Sequence, residues 1–193
     1  MKIKPEIATA PRRILGVDPG TNVLGFAIID AHKASGIHVV EMGVVTFAHI
    51  GEEQTIKLKY IFEQVQDLIR QHKPTEMAIE VPVYGKNPQS MLKLGRAQGV
   101  AIAAAMMVGL EIAEYMPKKI KRAVTGNGNA SKEQVAGMLE NILKRKMSDQ
   151  KLDATDALAT ALCHWYQSSG PLKGSANYSG WGAYAKNNPG KIV

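Results

Sequence analysis

Ile14-Leu15-Gly16-Val17-Asp18-Pro19-Gly20-Thr21, running on to Gly25-Phe26-Ala27-Ile28-Ile29-Asp30, is the stretch around which this chain is organised. Ile14 to Val17 is short, apolar and mostly branched, which reads as a buried strand. Pro19-Gly20 is a turn signal, and Val23 to Ile29 resumes as a second strand, so the two runs read as a hairpin. Asp18 therefore stands at the tip of a buried strand, where an unpaired carboxylate is costly to desolvate. Two uses of it are open at this point. Its side-chain oxygen starts the turn, or it serves chemistry at the strand end.

Working outward, the remaining pattern is α/β. Val39 to Phe47 reads as a third strand, and Glu53 to His72 as a helix with Leu58, Ile61, Phe62, Val65, Leu68 and Ile69 on one face. Lys73-Pro74 ends that helix, because the residue before proline disfavours it. Met77 to Val81 alternates as a strand, with Ala78 and Glu80 on one face. A loop, Pro82 to Asn87, leads into a helix from about Pro88 to Gly109, on which Gly95, Gly99 and Ala103 lie four apart. Interior glycine costs up to ~1 kcal/mol against alanine, so close packing is expected there, within the fold or across a dimer. Glu111 to Met116 is a further strand, and Lys118 to Asn129 a basic Gly/Asn-rich segment. Ser131-Lys132-Glu133-Gln134 fits a capping box, opening a helix with Val135, Met138, Leu139, Ile142 and Leu143 inward. A final helix runs from about Asp153 to Gln167.

The 193 residues are one ordinary domain, large enough to bury roughly 70% of the unfolded surface. An ordered domain is expected over 13–167, between an N-terminal arm, 1–12, and a flexible Gly/Ser/Asn/Pro-rich tail, 168–193. No run approaches the ~18 apolar residues of a membrane span, and residues 1–11 lack the apolar core of a signal peptide, so a cytoplasmic protein is expected. Cys163 is the only cysteine, which excludes an internal disulfide and a thiolate metal cage.

The net charge of +7 favours a polyanionic partner. From Val81 to Leu110 there is no acid, while Lys86, Lys93 and Arg96 are present. Met116 to Lys132 carries Lys118, Lys119, Lys121, Arg122 and Lys132, again without an acid, and nothing acidic follows Asp156. One basic side and one mixed side suit a phosphate backbone.

Against that background three acidic places stand out. Asp18 and Glu80 each end a short apolar strand just before turn or loop residues, where functional groups tend to sit. Asp153 and Asp156, three apart on a helix, share a face with Cβ atoms ~5–6 Å apart. Alone, that pair is ordinary N-terminal helix charge, worth ~0.3–1 kcal/mol. If all four converge they carry about −4, which two divalent cations balance, and hard oxygen ligands suit Mg²⁺ or Mn²⁺. Two such ions activate water and stabilise the leaving oxygen of a phosphodiester. His164, two to three turns further along the same helix, is too distant for metal contact and is expected at the surface or behind the ligands.

The runs GVDPGTNVLGFAII, AIEVPVYGKNPQSMLKLGRAQGVAIAAA, KRAVTGNGNASKEQV and DATDALATALCH, in that order, resemble the RuvC family of bacterial Holliday junction resolvases. The resemblance covers about Arg13 to His164. It implies an RNase H-like fold with a five-stranded mixed sheet flanked by helices, and a homodimer that cuts four-way DNA junctions symmetrically. By position, Asp18, Glu80, Asp153 and Asp156 resemble the family's metal-binding catalytic carboxylates, and Lys121 and Lys132 its two basic residues near the scissile phosphate. It further implies two Mg²⁺ per site, with Mn²⁺ able to substitute, products with 5′-phosphates, and partnership with the RuvA-RuvB branch-migration complex. Tyr84, Lys86, Lys93, Arg96, Lys118 and Lys119 are the expected DNA contacts. Where the family often carries an aromatic wedge, three positions after the strand-end Glu, this chain has Val83, with Tyr84 one later.

Two other classes fit part of the pattern. The Asp18-Pro19-Gly20-Thr21 turn is similar to the phosphate loop of sugar kinases and actin-like ATPases, which need a second domain that 193 residues cannot hold. A non-catalytic junction-binding protein would need the basic faces alone and has no use for four placed carboxylates.

Overall fold

The computed structural model describes residues 11–33, 35–51, 53–82, 87–147 and 150–169. Five strands, β1 (Arg12–Pro19), β2 (Val23–His32), β3 (Gly36–Thr46), β4 (Glu76–Glu80) and β5 (Glu111–Tyr115), form one sheet in the order β3-β2-β1-β4-β5. β1 pairs antiparallel with β2 and parallel with β4, and β4 runs parallel with β5. The hairpin read from the sequence is present, closed by Gly20 N–H donating to the Val23 carbonyl at 2.9 Å. The sheet is thus the mixed five-stranded one expected.

Strand alternation divides the core in two. Leu15, Val17, Leu24, Phe26, Ile28, Met77 and Ile79 face α1 (Gln54–His72) and α2 (Pro88–Met106). Ile14, Ala27, Ile29, Ala31 and Ala78 face the other layer, made of α3 (Pro117–Thr125), α4 (Lys132–Leu143) and α5 (Leu152–Ser169). On α5, Ala154, Ala157, Leu158, Ala161, Leu162 and Trp165 are all buried. A helix apolar over so much of its surface belongs inside a layer.

Gly16 and Gly25 decide how closely α5 approaches. A Cβ built on Gly16 would collide with the Ala157 carbonyl oxygen, and one on Gly25 with the Asp153 carbonyl oxygen. Both glycines have ordinary strand backbone, so they are required by the space α5 occupies and not by their own φ.

Several expectations shift. Lys118 to Asn129, a basic segment in the sequence pattern, begins as the helix α3. Pro117 occupies the first turn and Gly126, at φ 79°, the left-handed C-terminal cap. Only Ile120 and Val124 of α3 are buried, too few to show a period. α2 ends at Met106 and not at Gly109, which makes a positive-φ turn beyond it. Met138 of α4, expected inward, is 37% exposed, because α4 buries only a narrow edge at Val135 and Leu139. Packing within the protomer does not explain Gly95 and Gly99. Nothing lies within 4 Å of a Cβ on either, and α2 instead buries Ala97, Ala101, Ala104 and Ala105. At the ends, β1 takes in Arg12 and α5 takes in Ser168 and Ser169. Among the described residues no helix is long and apolar enough to cross a membrane.

Two glycine substitutions test this packing. Gly16→Ala should destabilise the fold by about 1–3 kcal/mol, the usual cost of overpacking. Gly137→Ala, in mid-α4 with nothing within 4 Å, should stabilise it by up to about 1 kcal/mol. Denaturant unfolding reads both, and equal midpoints would mean that α5 is free to move off the sheet.

Candidate active site

β1 and β4 are adjacent and parallel, with Val17 opposite Ile79, so Asp18 and Glu80 emerge side by side one step later. Both carry the parity of Gly16 and Ala78, which face α5. The same close approach that Gly25 permits brings the first turn of α5 over the end of β1. Oxygen atoms of Asp18, Asp153 and Asp156 there lie within 4.8 Å of one another. Glu80 stands outside that trio but lines one cleft of about 130 Å³ with Asp18, Asp156, Lys121 and Lys132, walled by Ile120 and Val135.

The two lysines arrive on short helices that sequence and capping locate. Lys132 opens α4, whose start is held by the expected capping box: Ser131 Oγ accepts from Gln134 N–H, and Gln134 Oε1 accepts from Ser131 N–H at 2.9 Å. Its ammonium pairs with Asp156. Burial works against that charge, but the hydrogen bond to Asp156 and the neighbouring carboxylates outweigh it and raise the Lys132 pKa. Lys121 comes from α3.

The carboxylates are crowded beyond what one lysine can neutralise. Burial, then repulsion from Asp156 and Asp153, pushes Asp18 up to about 7. Burial, then Asp18 and Asp156, pushes Glu80 up to about 8, with Lys132 and Lys121 opposing. Such a cluster is stabilised by added positive charge. Its donors are all carboxylate oxygens, with no imidazole or thiolate in the cluster, which suits a hard divalent cation.

The other expected contacts scatter over the surface. Lys93 and Arg96 are exposed on α2, and Lys118 and Lys119 on the outer side of α3, where with Arg122 they line a groove of about 570 Å³. Val83, Tyr84 and Lys86 lie outside the described residues.

His164 is not at the surface. It is 8% exposed, with Nε2 2.7 Å from Glu76 Oε2 and Nδ1 2.8 Å from the Tyr115 hydroxyl. A carboxylate only accepts, so Nε2 donates and Nδ1 accepts from Tyr115. Burial pushes the Tyr115 phenol up to about 12, which keeps that proton in place. Arg12 Nε donates to Glu76 at 2.6 Å, and Arg12 lies 5.3 Å over the Trp165 ring. Glu76 opens β4 and Glu80 ends it, about 13 Å away along the strand. This network therefore fastens the far half of α5 to the sheet and does not enter the cleft. Its members lie 49 and 88 residues apart in sequence, and no local signal joins them.

The five-stranded mixed sheet flanked by helices is an RNase H-like fold, and the acidic cleft at the ends of β1 and β4 has the oxygen donors that suit a divalent cation. The family model of crossover junction endodeoxyribonuclease RuvC matches residues 14–164. The chain is 50% identical to the crossover junction endodeoxyribonuclease RuvC of Christiangramia forsetii over 188 residues, covering 96% of this chain and 95% of that protein. It is 52% identical to that of Cytophaga hutchinsonii, covering 95% and 90%. The solved structure of T. thermophilus RuvC in complex with Holliday junction substrate superimposes with a TM-score of 0.75 at 28% identity, over 81% of this chain and 94% of that one. This chain belongs to the RuvC family of crossover junction endodeoxyribonucleases.

The charge crowding yields a pH prediction. Because the folded Asp18 and Glu80 hold protons more tightly than the unfolded chain does, their contribution favours folding at low pH. It is lost as pH rises from about 4 towards 7–8. Asp18→Asn should therefore stabilise the metal-free protein at pH 8 by on the order of 1–3 kcal/mol, and by less at pH 5. Divalent cation affinity should rise across the same interval, since binding displaces those protons. A wild-type melting temperature that climbs from pH 5 to 8 at the same rate as the variant's would contradict the crowding.

Proposed function

We propose that this chain is a divalent-metal-dependent, structure-selective DNA endonuclease that resolves Holliday junctions by paired symmetric cuts, in recombination and repair. The observation that carries the reading is the convergence of Asp18, Asp153 and Asp156, with Glu80 beside them, in a chain of this family. These four would hold Mg²⁺, two ions per site with Mn²⁺ able to substitute. Bound there, the metal supplies activation of water and stabilisation of the departing oxygen. Lys121 and Lys132 line the same cleft and face the substrate phosphate, where a positive charge acts most strongly as the transition state develops. The cut leaves a 5′-phosphate. Lys93, Arg96, Lys118 and Lys119, with Tyr84 and Lys86, contact the junction outside the cleft. The setting is the cytoplasm, and the RuvA-RuvB branch-migration complex is the expected partner.

Paired cuts need two sites related by a two-fold axis, the commonest oligomer symmetry. The face that supports this is on α2. Gly95, Gly99 and Ala103 are exposed there, flanked on the same stripe by Leu92, 58% exposed, and Met106, 65% exposed. A second copy covering this stripe removes apolar surface from water, and its glycines let the two helices approach closely. Arg96 borders the stripe and would rim that contact.

Incubating synthetic four-way junction and linear duplex with Mg²⁺ or with EDTA tests the reading directly. Cleavage is expected only of the junction and only with Mg²⁺. Asp18→Asn, Glu80→Gln, Asp153→Asn and Asp156→Asn should each abolish cutting while junction binding stays near wild type. Lys121→Ala and Lys132→Ala should slow cleavage by more than they weaken binding; equal effects would make them backbone anchors. Gly99→Leu, with open space around it, should leave the protomer folded but monomeric in sedimentation, nicking one strand at a time. A Gly99→Leu dimer would place the interface elsewhere.

A further inference from the structure

Opposite the acidic cleft, across the Pro19–Asn22 turn, lies a second groove of about 320 Å³. Its walls are Thr21 and Asn22 from the turn, Gln54 and Lys57 from the start of α1, and Ser90 and Lys93 from the start of α2. All six side chains are polar, two are cationic and none is a carboxylate. Lys57 Nζ donates to Asn22 Oδ1 at 2.7 Å, which leaves two of its N–H groups for another acceptor. Neither Lys57 nor Lys93 pairs with a carboxylate among the described residues. Among the described residues, Glu53, next to Gln54 in the chain, accepts from the Thr55 hydroxyl at 2.9 Å.

The fold explains why this groove and the cleft share an edge. β1, β3 and β4 all point the same way, so the turn after β1 and the helix starts after β3 and β4 gather at one end of the sheet. The end of β3 is tied to that turn by Phe47 N–H donating to the Asn22 carbonyl at 2.9 Å. Asp18 and Glu80 leave the same sheet edge on the α5 face, and the groove opens on the α1–α2 face. Thr21 is three residues beyond Asp18, at most about 10 Å of chain. Phosphates of one strand recur about every 3.4 Å along a duplex axis.

We propose that this groove holds one backbone phosphate of the strand being cut, about two or three nucleotides from the scissile bond, and so sets where along the strand the cut falls. The proposal rests on the reading of the cleft as a junction nuclease. Hydroxyls, amides and lysines are the groups that fix register on a nucleic acid backbone without reading bases. Lys57 and Asn22 hold each other, which makes that half of the groove preorganised. The turn they brace also carries Asp18, so a phosphate seated here and the carboxylate cluster are joined through four residues of chain.

The test uses the full-length protein with Mg²⁺ and four-way junctions in which single backbone phosphates, one to six nucleotides either side of the cut, are replaced by neutral methylphosphonate. In the wild type, neutralising the phosphate two or three nucleotides away should slow cleavage at that position about tenfold, the value of one charge-assisted contact, and spread the cuts to neighbouring phosphates. Lys57→Gln, which keeps an amide donor to Asn22, combined with Lys93→Ala should show the same loss on unmodified junction. It should lose nothing further on that methylphosphonate. Its binding should also fall less steeply with salt, by about 0.9 in logarithmic slope. A double variant that cuts at the wild-type rate and position overturns the proposal. So do losses that add to those of every methylphosphonate, because lysines and phosphate would then act independently. If the wild type leaves unmodified junction intact with Mg²⁺, the reading of the cleft itself fails; if it cuts but no phosphate couples to the lysines, only the groove does.

Discussion

The close approach of α5 to the sheet is the constraint on which the rest of this structure depends. Gly16 on β1 and Gly25 on β2 leave room for the carbonyls of Ala157 and Asp153, and no side chain larger than hydrogen fits at either place. Asp153 is both the residue that presses on Gly25 and a member of the carboxylate cluster. Packing and chemistry are therefore set by one contact. The far half of α5 is held by a different kind of bond, the Arg12–Glu76–His164–Tyr115 network, in which a partly buried carboxylate has its charge satisfied from two sides. Burial opposes ionisation of Glu76, but the hydrogen bonds from Arg12 and His164 hold its carboxyl below the ordinary range. A helix fixed sterically at one end and by hydrogen bonds at the other has little freedom to slide.

The two ends of β4 show opposite uses of the same residue type. Glu76 is matched with the Arg12 guanidinium and a His164 ring N–H and stabilises the layer. Glu80, four residues on, shares a cleft with Asp18 and Asp156 and is pushed up to about 8 by burial and by them. Without a cation the cleft opposes folding at neutral pH, and Lys132, paired with Asp156, and Lys121 relieve it only in part. A site kept at such a cost is one whose charge is meant to be balanced by something that binds.

Much of this was legible in the chain itself. The hairpin, the edge positions of Asp18 and Glu80, the capping box at Ser131 and the long amphipathic α1 follow from turn chemistry and periodicity, which act over a few residues. α3 was not, because nine residues with two buried positions give no period, and Pro117 and Gly126 speak only once a helix is suspected. The face of α2 could not be assigned either. Glycines at 95 and 99 suit a tight protomer core and an exposed helix face equally well, and only the position of α1 shows that alanines fill the core.

What the sequence by itself determined is the set of parts: an apolar strand ending in Asp18, another ending in Glu80, a helix starting with two aspartates on one face, and basic segments free of acids. These are local facts, set by the allowed backbone of proline and glycine and by the periods of strand and helix. Tertiary structure alone decided that the parts meet. Asp18, Glu80 and Asp153 are far apart in the chain: the parallel pairing of β1 with β4 joins the first two, and the glycine-made space beneath α5 brings in the third. Tertiary structure likewise decided that His164 faces Glu76 and not the cleft, since burial against particular partners has no signature in the order of residues.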